Sequence, residues 1–409
     1  MKATNLAIAV SGTLLTLPHL THAAEWFVTP KISTRAGYND NLTITSQPHN
    51  SVEELDLIPE ASFGRKTETS GITGQVRFDA RRYWGESGLN TNDRLLNLHM
   101  YDNGQRMGWT LDGNITRDTT LQSELNATGL VLQRTPRLMR SLNPGWSYMF
   151  NQRTQLKLGY QYQDVRYPDQ ATLLYQDYRI NALTATISHQ YSQRLQIFGS
   201  ASATSYRTTK NQLPYHGAVD ARYAILQAGA SYAFSQTLSA TVYAGARGSR
   251  TTIQEQQLIP VGPFVFFGPV HDVTDTNVGS VVNANVQKKF QTGTVSANLS
   301  REIQPTGYGG LIETDRLRLS AHHRISARFS DSVDLGLYQT KEVSSTVRHL
   351  DRTFVRVEPA FTWKMTRWWH LTGSYRYARQ RYKHQSQTAT QNAVYVTLAY
   401  TWPKMTTSW

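Results

Sequence analysis

Two alternations, one nested in the other, run through this chain. Within segments, apolar and polar residues take turns: Leu156, Leu158, Tyr160 and Tyr162 share one face, and Gln155, Lys157, Gln161 and Gln163 the other. Leu238, Ala240, Val242, Ala244 and Ala246 repeat the pattern, as do Val394, Val396, Leu398, Tyr400 and Trp402. A period of two puts successive side chains on opposite sides of an extended backbone, so these are strands with one apolar face. The links between them also take turns. Short polar turns fall at 102–104, 151–153, 192–193, 235–236, 291–293, 330–332 and 364–366. Long links fall between them, at 39–50, 85–92, 118–137, 168–176, 208–217, 249–276, 304–313, 344–350 and 383–390. A β-sandwich has no reason for this order. A transmembrane, antiparallel, up-and-down β-barrel does, with tight turns in the periplasm and long loops outside. Counting segments predicts an all-β barrel of about 18 strands, with 16 the alternative; an even number returns both ends to the periplasm.

The N-terminus fits that destination. Lys2, the apolar stretch 6–17 and the small-residue site Thr21-His22-Ala23-Ala24 read as a signal peptide over 1–23, leaving the barrel as 24–409. The chain has no Cys, as suits passage through an oxidising compartment. Beyond the signal no run of 18 apolar residues occurs, so no transmembrane helix is available. Trp84, Trp109, Trp146, Trp363, Trp368, Trp369 and Trp402 stand where apolar faces meet turns, the places of interfacial girdles.

An apolar face in lipid leaves the charges to the lumen and the loops. The candidate pore-lining residues are Arg77, Arg81, Arg316, Arg318, Arg324, Arg328, Arg356 and Arg376. Asp79 shares the face of Arg77 and Arg81, and Glu358 that of Arg356, so these groups either give a basic lumen or pair off and brace the wall. The formal charge of +13 is spread at strand spacing without a basic patch, which disfavours nucleic acid and suits the lipopolysaccharide surface. The segment 259–270, rich in Pro, Val and Phe, is the most apolar link and a candidate lid, constriction or partner contact. The link 118–137 is a second candidate plug. No Walker loop, HExxH or GxSxG is present, and His322 and His323 are neighbours on a strand and point apart. No cofactor or metal is expected.

The stretch Arg35-Ala36-Gly37-Tyr38-Asn39-Asp40-Asn41-Leu42 resembles the opening of a family of outer-membrane β-barrel porins encoded near exopolysaccharide-synthesis and exosortase loci. Arg117-Asp118 with Ser123-Glu124-Leu125, the run Ser141-Leu142-Asn143-Pro144-Gly145-Trp146-Ser147-Tyr148, and Tyr160-Gln161-Tyr162-Gln163-Asp164-Val165 are similar to it as well. The resemblance covers much of the first half and implies an outer-membrane location in a Gram-negative bacterium. It also implies a link to polysaccharide export or surface assembly, with polysaccharide and export-machinery proteins as partners, and supplies no catalytic residues. The expected function is a pore for polar, anionic or saccharide solutes. A non-conducting structural or adhesive barrel, or a barrel enzyme, are the alternatives.

Overall fold

The computed structural model describes residues 24–85, 87–127, 134–168, 175–209, 217–261, 263–343, 351–383 and 388–408. The expected signal peptide, 1–23, and parts of several expected loops lie outside them. The first strands are β1 (Glu25–Asn39), β2 (Val52–Lys66), β3 (Ser70–Trp84), β4 (Thr91–Asn103) and β5 (Met107–Thr119). A short helix, α1 (Thr120–Ala127), precedes β6 (Pro136–Asn151), β7 (Thr154–Arg166), β8 (Tyr178–Gln190), β9 (Leu195–Thr208) and β10 (Val219–Ala233). The longest pair, β11 (Leu238–Val261) and β12 (Phe264–Lys289), is followed by β13 (Gly293–Thr306), β14 (Gly310–Arg324) and β15 (Phe329–Glu342). The ring finishes with β16 (Arg352–Lys364), β17 (Trp369–Tyr382), β18 (Thr388–Thr401) and the short β19 (Met405–Ser408).

Neighbours in sequence are neighbours in the sheet, all antiparallel, and β1 closes the ring against both β2 and β18. The last strand is interrupted around Pro403, and β19 resumes its pairing with the start of β1. The barrel is therefore 18-stranded, as the alternating links predict. Closure removes the edge strands that an open sheet of this size would present to other chains.

One face of nearly every strand is exposed and apolar. Leu183, Leu226 and Val394 on β8, β10 and β18 are 59%, 69% and 51% exposed. In water so continuous a belt would drive aggregation; in lipid it is the required surface. Trp109, Trp146, Tyr232, Phe234, Phe290, Trp369 and Trp402 are exposed near the short-turn ends, and Trp84 near the long-loop end. A closed barrel with an apolar belt and aromatic rims belongs in an outer membrane.

Two features depart from expectation. The turn expected at 330–332 lies at 325–328; Ser330, Asp331 and Ser332 are within β15. There the Ser326 hydroxyl accepts from the amides of Arg328 and Phe329, so a small polar turn forms where alternation reads as continuous strand. The segment 259–270 is neither lid nor rim packing. It is the tip of a two-stranded ribbon, paired from Gln254↔Asp272 to Val261↔Phe264, whereas β10 pairs with β11 only as far as Ile253. Phe264 and Phe267 at the tip are 67% and 62% exposed.

Candidate functional site

Side chains that face the lumen follow from register. Arg35 lies opposite Asp56, and Gly37 opposite Glu54 and Tyr395, so β18, β1 and β2 turn these groups inward together. Asp56, fully buried, forms an ion pair with Arg35 at 2.5 Å and accepts from Arg81 at 3.1 Å. Arg81 also reaches Asp79 at 2.9 Å, and Arg77 reaches the same carboxylate at 3.3 Å. Glu54 lies 3.2 Å from Arg35. Across the closing seam, Arg376 and Arg356 converge on Glu358 at 2.9 and 3.6 Å. Tyr395 stands between the two groups, with Arg35 and Arg376 over its ring at 5.0 and 5.2 Å. Arg77, Arg81, Arg356 and Arg376 thus share one interlocked cluster.

The other predicted arginines are elsewhere. Arg316 and Arg318 face inward from β14; Arg316 lies over the Tyr338 ring at 5.1 Å and Arg318 donates to the Tyr338 hydroxyl at 3.2 Å. Arg324 is exposed at the periplasmic end of the same strand, opposite Ser330. Arg328 does not continue this ladder: it lies in the turn before β15, because the strand ends at Arg324. His322 and His323 point apart, and His323 meets Asp331 at 3.1 Å on the outer side. Reasoning from sequence did not single out Arg35, Glu54 and Asp56. The signal was available, since Glu54 and Asp56 alternate with the exposed Leu55 and Leu57. Arg352 was also missed. It is fully buried, donates to Gln380 at 2.8 Å and lies over Phe354 at 5.4 Å.

The lumen changes character along its axis. At the extracellular end, inward residues of β7 to β11 are apolar and buried: Val165, Tyr178, Ile180, Tyr206, Val219, Ala221 and Ile253. The hairpin of β13 and β14 leans in to meet them. Its pairing with β12 stops at Val282↔Arg301, while its own strands pair up to Thr306↔Gly310. Above that point β13 parts from β12 while β14 stays paired with β15 as far as Ile312↔Glu342, and Ile303, Tyr308 and Leu311 join the apolar cluster. The Tyr206 hydroxyl donates to the Thr306 carbonyl at 2.9 Å, and the Gln176 amide to the Gly307 carbonyl at 2.7 Å. The hydroxyls of Tyr175 and Tyr308 are 2.8 Å apart. Gly309 has a φ of +84°, a conformation open to glycine, and this lets the chain reverse at the tip. Arg247 of β11 anchors the hairpin by pairing with Glu313 at 2.7 Å.

Helix α1, within the expected plug 118–137, fills another part of the mouth. Leu121 and Gln122 line a cavity of about 160 Å³ together with Arg35, Glu54, Arg376 and Tyr395. The loop after β1 folds inward too: Ile44 packs with Tyr338, Phe354, Ala378 and Ala389. Toward the periplasm the inward groups become polar and wet. Lys157, Arg318, His322 and Arg324 are exposed, although their strand parity turns them to the lumen. A cavity of about 450 Å³ there is lined by Gln75, Asn97, Asn114, Asn143, His99 and Asp112 among others. Asn114 donates to Asn97, and Asn97 to Gln75 at 3.4 Å, so the amides form a ladder across three strands.

No protein-family model matches this chain, and no curated protein does. Among solved structures, the outer membrane protein OpdK of Pseudomonas aeruginosa is similar at 9% identity and a TM-score of 0.45, over 92% of this chain and 99% of that one. OccAB3 of Acinetobacter baumannii aligns at 10% identity and 0.44, over 93% and 99%. The ferric-catecholate import receptor Fiu of E. coli K12, in its open form, aligns at 8% and 0.45, over 91% and 81%. At such distances, what the lumen does has to be read from its own residues.

Proposed function

We propose that this barrel is a gated outer-membrane pore for polar, hydroxyl-rich solutes, anionic ones included. The observation that carries the reading is the contrast along the lumen: an apolar seal at the extracellular mouth above a wet, amide-lined vestibule open to the periplasm. A purely structural barrel has no need of a half-exposed amide ladder lining a cavity. Amide groups both donate and accept, as saccharide hydroxyls do. Arg318 and Arg324, exposed to that vestibule, favour anions. The ion pairs around Asp56 and Glu358 instead suit a brace that keeps the wall rigid. Export of an exopolysaccharide, with export-machinery proteins as partners, is the favoured context and rests on the resemblance of 35–42 and the related segments. The reading includes no catalytic step.

The gate is the joint between Tyr308 and the wall. In planar bilayers the refolded chain is expected to open briefly, and Tyr308→Ala to stay open several times longer, with the same single-channel step. Replacing Arg318 and Arg324 by Ser is expected to lower anion preference. A Tyr308→Ala barrel that folds, by its heat-modifiable gel mobility, yet never conducts would refute the pore and favour a structural barrel.

A further inference from the structure

The outer wall carries a pattern that a pore does not need. On nine consecutive strands, β3 to β11, an exposed arginine occupies one outward height. On the ascending strands Arg82, Arg166, Arg207 and Arg250 each stand twelve residues beyond the strand's first residue. On the descending strands Arg140, Arg179 and Arg222 each stand eleven residues before the last. Arg117 and Arg94, on β5 and β4, sit slightly lower, at ten and nine. With roughly 3.3 Å of rise per residue and a strand tilt of about 40°, this height is about 30 Å above the periplasmic edge. It lies just past an apolar band about 25 Å tall.

The track is bounded. On the flanking strands, Leu55 of β2 and Val278 of β12 hold the same height, eleven residues from their strand ends, and are exposed. Farther round, Lys341 and Arg381 hold it singly on β15 and β17. Among the described residues, two carboxylates share the track. Asp164 accepts from Arg166 and Arg179 at 2.8 and 3.0 Å, and Asp220 from Arg207 and Arg222 at 2.8 and 3.3 Å. Those two anions, with Asp272 higher in the cleft wall, cannot neutralise nine guanidinium groups. The surface is also concave here: a cavity of about 740 Å³ has Arg207, Arg222 and Arg250 in its wall, with Asp220 and Asp272.

We propose that this arc, centred on the cleft of Arg207, Arg222 and Arg250, binds the phosphate groups of the phosphorylated glycolipid of the outer leaflet. Guanidinium forks match phosphate oxygens bidentately and bind them more strongly than neutral donors do. Directly below the cleft the exposed Leu226, four residues down β10 from Arg222, offers the apolar surface on which acyl chains lie. A lipid satisfies both surfaces at once, whereas a free anion satisfies one. The inference rests on the membrane placement of the barrel and is independent of whether the lumen conducts.

The test uses the full barrel in zwitterionic micelles, titrated with micellar bis-phosphorylated lipid A and with the same glycolipid stripped of phosphate. The wild type is expected to bind the phosphorylated form at least tenfold more tightly, and this preference to survive millimolar inorganic phosphate. Arg207→Gln, Arg222→Gln and Arg250→Gln together should abolish it, while Lys341→Gln with Arg381→Gln, on the opposite wall, should leave it intact. Heat-modifiable mobility reports folding of each variant. Equal binding of both glycolipids by the folded wild type, a preference unchanged in the triple variant, or full displacement by inorganic phosphate would each overturn the proposal.

Discussion

Asp56 shows how much a single luminal position holds together. It is fully buried and is the carboxylate on which guanidinium groups converge from strands on both sides. Asn at this position keeps the shape and removes the charge, leaving Arg35 and Arg81 facing each other with less compensation. Breaking a buried pair from one side costs about 3–5 kcal/mol. Asp56→Asn is therefore expected to lower stability by about 3 kcal/mol, read from urea unfolding of the micelle-folded barrel by gel mobility. No change would mean that Glu54 and Asp79 already suffice to hold the arginines. Gly37 illustrates the complementary constraint: its missing side chain leaves the space that the Tyr395 ring occupies. Gly37→Val is expected to displace that ring from between Arg35 and Arg376 and to lower the unfolding midpoint. Residue-scale chemistry of this kind was half legible. Alternation puts Arg77, Asp79 and Arg81 on one face, but the partners of Asp56 come from a strand pairing that only register reveals.

Elements separate into those the ring needs and those it does not. The Gln254 amide still donates to the Ala218 carbonyl at 3.0 Å, and beyond it the strand pairings of the ribbon are its own, outside the ladder of the barrel wall. Replacing residues 255–271 with a tight turn is expected to leave folding yield and heat-modifiable mobility unchanged. Loss of folding would show that the ribbon guides assembly. The hairpin of β13 and β14 is the reverse case, since its upper half parts from β12, still held by β15, and packs against the apolar mouth. Its anchor, Glu313, is the carboxylate met by Arg247, whose side chain is buried. Glu313→Gln weakens that anchor, and the expected result is more frequent openings in a planar bilayer, in the same direction as Tyr308→Ala. Unchanged gating would assign the seal to the apolar contacts alone. An apolar link looks like a lid from sequence, yet the Pro- and Phe-rich 259–270 projects away while the more polar 304–313 bends inward. Composition does not encode direction. Whether a hairpin leans in depends on which neighbour it stops pairing with, here β12 above Val282.

At the scale of the molecule the barrel is turned inside out, with its apolar face toward lipid and its charges toward the axis or the arginine track. Leu226, seven residues from the periplasmic end of β10, faces the middle of the belt. Leu226→Arg is expected to cost about 2–4 kcal/mol, whereas the same charge four residues higher, as Arg222, stands near the headgroups and costs about 0–1. Equilibrium unfolding in lipid vesicles measures the difference, and equal stabilities would place the belt elsewhere. Strand number, strand direction, the lipid-facing set and the short-turn side are all consequences of local pattern. A period of two and the length of a link act between residues close in the chain, so the sequence by itself determined the 18-stranded ring. The luminal ion pairs, the inward hairpin, the helix in the mouth and the level track of arginines were decided by the tertiary structure. Each depends on the stagger between strands, which brings residues distant in sequence to one height and one face, and no local periodicity carries that offset.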